Sequence, residues 1–483
     1  MNSGRRWNCL KEELESLTPE QKKELQTLLK KSSPPKQKSS GKTKKQDSEP
    51  EPGKPTWFKE HKIIEIPFCE EFLKSHPIVC VHGQFYDFDG RVDEEQLKQE
   101  MLSVIRPYVG VNVARKLDQL VKAMKTVALI KEFPVQTDRV HVRNGTLFLN
   151  GEFRAEKEFC VYRLPVSYNP AAAPPKTWLA FLNELLFEED IRAFQEFLGY
   201  IFLPTNKGQV MMLLIGKGGE GKSRIGLVLH SLLGDSMNFG SIVKLATDRF
   251  NPADQEGKLL LFDDDMRTDA LTDTGTLKAI ITAEGKFDLE RKGRQSFQGD
   301  LFVRLLALSN GSLSALYDRS DAFYRRQLVI RVRERPEDRV DDPRIAEKMI
   351  AEKEGIFLWC LEGLKRLISQ NYHFSISDRM KENLKDVRES DDNIIEFYES
   401  EGYIRFEEGT MASTKKLYRA YQAWCDDNAE KPLAEKTFSQ HLKTDQKKLK
   451  IRYIKNLDIG GGKRVRGYRG VHVEINTDLV RSS

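Results

Sequence analysis

The sequence predicts an α/β fold whose core is a parallel sheet packed between helices. Residues 209–332 alternate apolar runs with amphipathic segments, the pattern of parallel strands joined by helical crossovers. Two of the apolar runs, residues 210–215 and 259–262, are short and continuous, as expected for strands that are buried on both faces. The first run leads into a glycine-rich loop and then into an amphipathic helix over residues 225–233.

The loop has the spacing G-x-x-x-x-G-K-[ST]. Its residues are Gly216, Lys217, Gly218, Gly219, Glu220, Gly221, Lys222 and Ser223. Glycines let the backbone bring its N–H groups close to a polyphosphate, and the following helix points its positive end at the same anion. Lys222 would reach the β- and γ-phosphates, and Ser223 would bind Mg²⁺. A loop of this kind between a strand and a helix predicts a P-loop with ATP and Mg²⁺ as cofactors.

Composition excludes a membrane-spanning or disulfide-rich protein. The chain has 483 residues, of which 39% are hydrophobic and 31% charged, and its net charge is +5. No apolar run approaches the ~18–20 residues that span a bilayer, and the N-terminus has no apolar signal segment. The six cysteines are scattered and never form C-x-x-C. We therefore expect a cytoplasmic protein with no membrane partner, no disulfide framework and no zinc finger.

Four segments are predicted along the chain. Residues 1–56 comprise a helical N-terminus and a Lys/Ser/Pro-rich linker, which is expected to be disordered. Residues 57–190 form an accessory α+β domain rich in helices, residues 191–370 the ATPase domain, and residues 371–483 a winged-helix DNA-binding domain. A single helix is predicted over residues 178–197, across the boundary after residue 190.

Charged residues outside the core allow more than one interpretation. Residues 30–45 hold seven lysines and no acid, so they either contact nucleic acid or form a solvated linker. Asp87 and Asp89 form a D-x-D that is compatible with a metal-dependent site. The same two residues also fit a strand that ends in an Asp-Gly turn.

A second strand runs into carboxylates where a P-loop ATPase needs them. Residues 259–262 are followed by Asp263, Asp264 and Asp265. Such carboxylates hold Mg²⁺ and polarise the attacking water. An acidic loop after a strand is the plainer interpretation, but its place about 40 residues after the P-loop favours a site. We assign Asp263 and Asp264 to that site, with Asp264 also a metal ligand.

Three further motifs follow in order. Residues 287–297 predict a hairpin with Arg291, Lys292, Gly293 and Arg294 at its tip. A buried strand over residues 301–308 ends at Ser309-Asn310, where Asn310 either senses the γ-phosphate or caps a turn. Arg325 and Arg326 precede a strand over residues 327–332. One of them either stabilises charge at a neighbouring subunit's ATP or forms a surface salt bridge.

The C-terminal segment combines amphipathic helices with a basic hairpin. Residues 443–469 contain ten Lys/Arg and two Asp, a net charge of +8, whereas the whole chain has +5. The hairpin is glycine-rich and carries Lys463, Arg464 and Arg466. Two or more helices followed by such a hairpin indicate a winged helix, and the local charge indicates phosphate contact. A solvated lysine-rich face is the alternative.

Together these motifs resemble the superfamily 3 helicases, in particular the phage- and plasmid-type primase-helicase family. Residues 216–223 are similar to the family's Walker A motif, residues 262–265 to Walker B, residues 289–294 to its hairpin, residues 308–310 to its third motif and residues 325–326 to its arginine finger. The resemblance covers roughly residues 85–473. It implies an AAA+-like fold, a homo-hexameric ring and ATP-driven translocation on single-stranded DNA. The implied partners are single-stranded DNA, replication-origin DNA, a polymerase and a primase, in the replication of a mobile element.

Two departures from the family pattern and two other functions complete the expectations. The short segment before residue 57 leaves no room for the primase module of many relatives, so we expect no primer synthesis. Glu220 stands where many relatives have asparagine, which should leave nucleotide binding intact. An AAA+ remodeller or helicase loader would share the nucleotide residues without needing the basic tip at 291–294. A replication initiator would bind origin DNA and use ATP only as a signal.

Overall fold

The computed structural model describes residues 55–266, 274–283, 285–293, 295–309, 321–430, 432–447, 449–458 and 464–475. The described residues form two compact units that divide between Arg163 and Leu164. Almost all of the predicted N-terminal helix and linker lies outside the described residues. The predicted site residues Arg294, Asn310 and Lys463 also lie outside them.

The bounds of the regular elements are as follows. The helices are α1 (Glu65–Ser75), α2 (Glu94–Ile105), α3 (Val113–Val127), α4 (Lys176–Leu185), α5 (Glu188–Tyr200), α6 (Ser223–Leu233), α7 (Ile242–Thr247), α8 (Gly275–Thr282), α9 (Asp321–Tyr324), α10 (Ile345–Ala351), α11 (Lys353–Ser369), α12 (Asp378–Glu399), α13 (Thr414–Asp427) and α14 (Glu435–Thr444). The strands are β1 (Phe58–Lys59), β2 (Lys62–Ile63), β3 (Val79–Val81), β4 (Gln84–Asp87), β5 (Gly90–Val92), β6 (Arg139–Val142), β7 (Gly145–Phe148), β8 (Phe153–Arg154), β9 (Arg163–Leu164), β10 (Met211–Ile215), β11 (Met237–Phe239), β12 (Leu260–Asp263), β13 (Phe287–Leu289), β14 (Phe297–Gly299), β15 (Arg304–Ser309), β16 (Gln327–Arg331), β17 (Ile404–Arg405), β18 (Met411–Ser413), β19 (Arg452–Asp458), β20 (Arg464–Arg469) and β21 (His472–Val473).

The first unit packs α1, α2 and α3 around an apolar core and carries antiparallel sheets. Asp93 explains where α2 begins, because its carboxylate accepts hydrogen bonds of 3.0 Å from the N–H groups of Glu95 and Gln96. In α3, apolar residues recur every three or four positions, the spacing that places them on one helix face. Those residues are buried: Leu117, Leu120, Val121 and Met124.

The carboxylate pair in the first unit belongs to a strand end and a turn. β4 ends at Asp87, whose Oδ1 accepts a hydrogen bond of 2.6 Å from the N–H of Asp89. Asp89 in turn forms an ion pair of 2.8 Å with Lys157. A side chain that binds the backbone two residues on is the usual Asp turn. The strand-and-turn interpretation of these two residues is therefore confirmed.

The described part of the second unit contains a five-stranded parallel sheet in the order β11-β12-β15-β10-β16. β10 lies between β15 and β16, with Leu213 opposite Ala307 on one side and Val329 on the other. Every residue of β10, β12 and β15 is buried, because helices cover both faces of a parallel sheet. The predicted α/β core with its parallel sheet is confirmed.

The single helix predicted over residues 178–197 is wrong, since the structure has two. α4 ends at Leu185, and Leu186 takes an extended backbone with φ −112° and ψ 156°. α5 then begins with Glu188, Glu189 and Asp190, whose negative charges are favourable at a helix N-terminus. A second helix therefore begins at a run of acids, although neither proline nor glycine separates it from the first.

The second unit begins before the boundary predicted after residue 190. That boundary falls within α5, which packs along α11 in the same unit. The fully buried carboxylate of Glu196 on α5 forms an ion pair of 2.5 Å with Arg366 on α11. Gly199 permits the close approach, because a Cβ there would collide with the carbonyl oxygen of Cys360. These contacts tie α5 to the sheet-bearing unit.

The C-terminal part of the second unit combines helices with small antiparallel sheets. Ser377 caps the start of α12, because its Oγ accepts a hydrogen bond of 2.9 Å from the N–H of Met380. After it the chain runs through β18, α13, α14 and the hairpin of β19 and β20, and the sheet order is β18-β20-β19. Aromatic rings from three helices fill the core, with Tyr421 stacked on Phe438 at 4.7 Å.

Two features of composition have structural counterparts. The described cysteines are free thiols and are buried: Cys69, Cys80, Cys160, Cys360 and Cys425. Among the helices of the described ranges, none is long and apolar enough to cross a bilayer.

Candidate functional site

Parallel strands bring the predicted nucleotide-site residues to one edge of the sheet, the edge formed by the carboxyl ends of its strands. β10 ends at Ile215 and continues into the P-loop, β12 ends at Asp263, and β15 ends at Ser309. Ser309 lies opposite Ile215, and its carbonyl oxygen accepts a hydrogen bond of 2.9 Å from the N–H of Gly216. Asn310, the next residue, lies outside the described residues. Because β15 separates β10 from β12, Asp263 lies about 10 Å across the sheet from the P-loop strand.

The backbone of the P-loop requires its glycines. Gly218, Gly219 and Gly221 have φ angles of 102°, 87° and 97°, in the region that L side chains rarely adopt. Gly216 is required for a different reason, because a Cβ there would collide with Nζ of Lys222. The loop therefore folds tightly around its own polar groups.

The carboxylate of Glu220 lies inside the P-loop. Its Oε2 accepts a hydrogen bond of 2.6 Å from Nζ of Lys222, and its Oε1 accepts from the N–H groups of Gly218, at 2.9 Å, and Lys217. Glu220 is only 3% exposed and Lys222 only 6%. Burial raises the pKa of Glu220, but the hydrogen bonds from Lys222 and the backbone outweigh it, so that the pKa lies below its ordinary value. The P-loop thus encloses an ionised carboxylate.

The same donors suit a polyphosphate. Nζ of Lys222 and two backbone N–H groups converge on a single anion at the start of α6, which is the arrangement that binds phosphate oxygens. Ser223 is the first residue of α6 and is exposed. A Mg²⁺ bound with ATP needs only one or two protein ligands besides the phosphates. Across the described ranges, no group of three or more His, Cys, Asp or Glu could hold a metal ion without such help.

The carboxylates after β12 differ in their surroundings. Asp263 is buried, and its Oδ2 accepts a hydrogen bond of 2.8 Å from the N–H of Ile242 at the start of α7. Burial raises the pKa of Asp263, and the neighbouring Asp264 and Asp265 add to that effect. Asp264 and Asp265 are exposed. Asp263 therefore holds α7 against the sheet, whereas Asp264 is accessible to a metal ion or water.

The two arginines predicted as finger residues lie at the opposite edge of the sheet, the edge formed by the amino ends of its strands. They precede β16, and the carbonyl oxygen of Arg326 accepts a hydrogen bond of 2.8 Å from the N–H of Met211, the first residue of β10. Arg325 is exposed and Arg326 is partly buried. Because strands rise about 3.3 Å per residue, the P-loop begins roughly 17 Å further along β10. An arginine side chain does not span that distance, so neither residue reaches the P-loop of its own chain.

Two arginines that the sequence analysis did not single out lie beside the P-loop. Nη1 of Arg339 donates a hydrogen bond of 2.9 Å to the carbonyl oxygen of Glu220. Nη1 of Arg335 lies 3.9 Å from the position that a Cβ on Gly219 would take. Both arginines pair with Asp341, at 3.0 Å for Arg335 and 3.7 Å for Arg339. They lie in a stretch without helix or strand, so no periodicity marks them. Their position becomes clear only from the structure, in which β16 pairs with β10 and both strands end at the same edge of the sheet.

The predicted hairpin between β12 and β15 is formed by β13 and β14. Lys292 and Gly293 are exposed at its tip, where Gly293 has a φ of 73°. Arg291 instead pairs with Glu256, and its guanidinium group lies 4.8 Å from the ring centre of Phe297. Arg291 thus packs against the strand end next to the tip loop, and Lys292 is the cation that the described tip presents to solvent.

The basic hairpin near the C-terminus is formed by β19 and β20. Arg464 and Arg466 are exposed on β20, two residues apart and therefore on one face of the strand. Arg452 and Lys455 are exposed on β19. Arg452 pairs with Arg469 and so lies on the other face of the hairpin from Arg464 and Arg466. Exposed positive charge is therefore found on both faces of the hairpin, whose turn lies outside the described residues.

Two family models match parts of the chain. Residues 214–326 match a family of unknown function (DUF5906), and residues 389–458 match a family described as Poxvirus D5 protein-like. The first match runs from the P-loop strand to Arg326 and so contains the nucleotide-site residues described above. The second runs from the middle of α12 to the last residue of β19. No curated protein matches the chain significantly.

Among solved structures, the chain is similar to the C-terminal region of NrS-1. The apo structure of that region is 14% identical, with a TM-score of 0.47, and the match covers 85% of this chain and 98% of that one. An apo structure of the same region in its A form is also 14% identical, with a TM-score of 0.46 and coverage of 83% and 98%.

Proposed function

We propose that this protein is an ATP-dependent DNA helicase of superfamily 3 that replicates a phage, plasmid or other mobile element. The observation that carries the proposal is the division of the site between two edges of one sheet. The P-loop and Asp264 lie at one edge, and Arg326 lies at the other. Such a site is completed when the next subunit brings its arginine edge to the P-loop. Head-to-tail contacts of this kind form a ring when the rotation between subunits closes. The resemblance to superfamily 3 gives the homo-hexamer that we propose.

In this proposal each residue has a defined part in hydrolysis. Lys222 and the loop N–H groups bind the phosphates, and Ser223 and Asp264 hold Mg²⁺, which neutralises charge on the transferred phosphoryl group. Asp264 also orients the attacking water, together with Asn310. The next subunit's copy of Arg326, or the adjacent Arg325, stabilises the charge that develops in the transition state.

Basic residues on two hairpins support coupling to DNA. Lys292 stands at the tip of a hairpin inserted between β12 and β15, the strands that end beside the nucleotide site. A ring of such tips would line a channel for the phosphate backbone of single-stranded DNA. The exposed Arg464 and Arg466 belong to a segment with the order of a winged helix, which we assign to replication-origin DNA.

The Poxvirus D5 protein-like match lies within the C-terminal segment that we assign to DNA binding. The Poxvirus D5 protein-like match supports a virus-type replication protein. A polymerase and a primase are its partners in this proposal, on the resemblance to superfamily 3 alone. The match lies in the C-terminal segment, whereas the motifs that resemble superfamily 3 run from residue 216 to residue 326. The two lines of support therefore rest on different parts of the chain.

Steady-state ATPase activity, measured with and without single-stranded DNA, tests the proposal. A helicase should hydrolyse ATP faster when single-stranded DNA is present, and Lys222→Ala should abolish both rates. Hydrolysis that ignores DNA would favour the AAA+ remodeller or helicase loader. Binding of origin DNA and ATP without any turnover would favour the replication initiator.

A further inference from the structure

The P-loop of this chain already contains an anion that the chain itself supplies. Glu220 occupies the fourth variable position of the motif, and its carboxylate accepts from Nζ of Lys222 and from the N–H groups of Lys217 and Gly218. The side chains of Lys222 and Glu220 are 7% and 3% exposed. These are the donors that a polyphosphate would use, and in this structure a carboxylate takes them.

We infer that Glu220 is an internal competitor of the nucleotide, and that the phosphates of ATP must displace its carboxylate before they engage Lys222. The inference rests on the proposed nucleotide site and adds a regulating residue to it. The chain alternates between a closed loop, in which Glu220 neutralises Lys222, and an open loop that binds phosphate. The observed affinity for nucleotide is then the intrinsic affinity reduced by the fraction of open loops.

The donors of the loop cannot serve both anions fully. The N–H groups of Lys217 and Gly218 have one hydrogen each, and both donate to Oε1 of Glu220. Nζ of Lys222 lies 2.6 Å from Oε2 of Glu220, which is the full contact distance of a charge-assisted hydrogen bond. A phosphate oxygen that took the same hydrogen bond would meet the carboxylate as a like charge at close range. Repulsion between like charges a few ångström apart in a buried site is large, so the carboxylate must move out.

The loop also has a fixed point about which Glu220 can turn. Nη1 of Arg339 donates a hydrogen bond of 2.9 Å to the backbone carbonyl of Glu220 and so holds its main chain. Arg335 lies beside Gly219, on the same side of the loop. A carboxylate that leaves the phosphate cradle therefore moves within a region that already contains two guanidinium groups. These two groups share a single carboxylate, that of Asp341, so one positive charge is left to face Glu220 while Lys222 is transferred to the nucleotide.

A purely structural role for Glu220 predicts the opposite sign. If the carboxylate only held the loop in a binding-ready shape, then removing it would weaken nucleotide binding. If the carboxylate competes, then removing its charge strengthens binding. The sign of the change in affinity therefore separates the two roles without any measurement of activity.

The test is the affinity of the full chain for inorganic pyrophosphate and for ADP, measured by titration calorimetry. Glu220→Gln keeps the size of the side chain and removes its charge, and it should bind both ligands about tenfold more tightly than the parent. Glu334→Gln is the matched control. Glu334 forms an exposed ion pair of 2.5 Å with Lys217 of the same loop, so this variant makes the same charge change outside the cradle. It should change the affinity by less than about twofold.

The outcomes separate this inference from the proposed function. If Lys222→Ala binds pyrophosphate and ADP as tightly as the parent does, the proposed nucleotide site itself is wrong. Binding that depends on Lys222, but is unchanged or weaker in Glu220→Gln, would overturn the competitor and leave the site intact. A structure of the parent with ADP gives a second test, which needs no variant to fold. Glu220 should have left Lys222, and an ion pair that persists beside bound phosphate would overturn the inference.

Discussion

The carbonyl oxygen of Arg326 accepts a hydrogen bond of 2.8 Å from the backbone N–H of Met211. Met211 is the first residue of β10, and the P-loop follows the last residue of the same strand. One short strand therefore separates the arginine edge of the sheet from the nucleotide edge. The proposed function therefore requires two subunits for hydrolysis, because each would contribute one edge.

Mixed subunits test that requirement. Arg326→Ala and Lys222→Ala proteins should each be inactive alone, since every interface lacks either its finger or its P-loop lysine. In an equal mixture, about a quarter of the interfaces in a ring pair an intact P-loop with an intact arginine. ATPase activity should then reappear in the mixture. If rings form, as checked by light scattering, and the mixture stays inactive, the two residues do not share a site.

A substitution in the P-loop and one at the exposed carboxylate should impair nucleotide binding and turnover differently. Lys222→Ala removes the charge that faces the phosphates, so we expect weaker nucleotide binding and turnover reduced by roughly 10²–10³. Asp264→Asn should keep nucleotide binding and lose turnover, because it impairs Mg²⁺ and water positioning rather than the cradle. Fluorescent-nucleotide binding and phosphate release, measured on the same preparations, distinguish the two. Full turnover by Lys222→Ala would refute the site.

Gly226 allows α6 to approach the strand that carries the carboxylates. A Cβ at this position would lie 2.6 Å from Cε1 of the buried Phe262 ring, next to Asp263. Gly226→Ala should therefore lower stability by about 1–3 kcal/mol through overpacking. Helix propensity alone would raise it by about 1 kcal/mol. Thermal unfolding measures the sign, and Gly285→Ala is the control, because nothing lies within 4 Å of that site. A more stable Gly226→Ala protein would contradict the close contact.

The sequence predicts the elements of the site better than their contacts. β10 and β12 are continuous apolar runs, and the glycines of the P-loop have backbone angles that only glycine adopts readily, so both features are visible in the residue pattern. The orientation of Glu220 is not visible there. Whether an acid in a loop points inward depends on the path of the backbone, which spacing does not encode.

The assignment among neighbouring charged residues also needed the structure. Asp263 and Asp264 are adjacent in the sequence, yet Asp263 binds the N–H of Ile242 while Asp264 is exposed. Arg291 and Lys292 are also adjacent, and among the described residues only Arg291 pairs with a carboxylate, that of Glu256 in a distant segment. Contacts between residues far apart in the chain decide these pairs. Local sequence patterns carry no information about them.

The central claim is that ATP hydrolysis drives this protein along DNA, and the tip of the β13–β14 hairpin tests it most directly. Lys292 is exposed, and within the described residues no hydrogen bond or ion pair joins it to the P-loop, so Lys292→Ala should keep ring assembly and basal ATPase activity near normal. Binding to single-stranded DNA should weaken, and its dependence on salt should flatten by about one phosphate contact for each engaged tip.

The decisive measurement follows strand separation of a forked duplex and ATP hydrolysis in the same reaction, for the parent and for Lys292→Ala. Our account predicts that the parent separates the strands and that Lys292→Ala loses strand separation far more than it loses ATPase activity. A Lys292→Ala protein that unwinds as fast as the parent at every salt concentration would contradict the account. The hairpin would then be a structural turn.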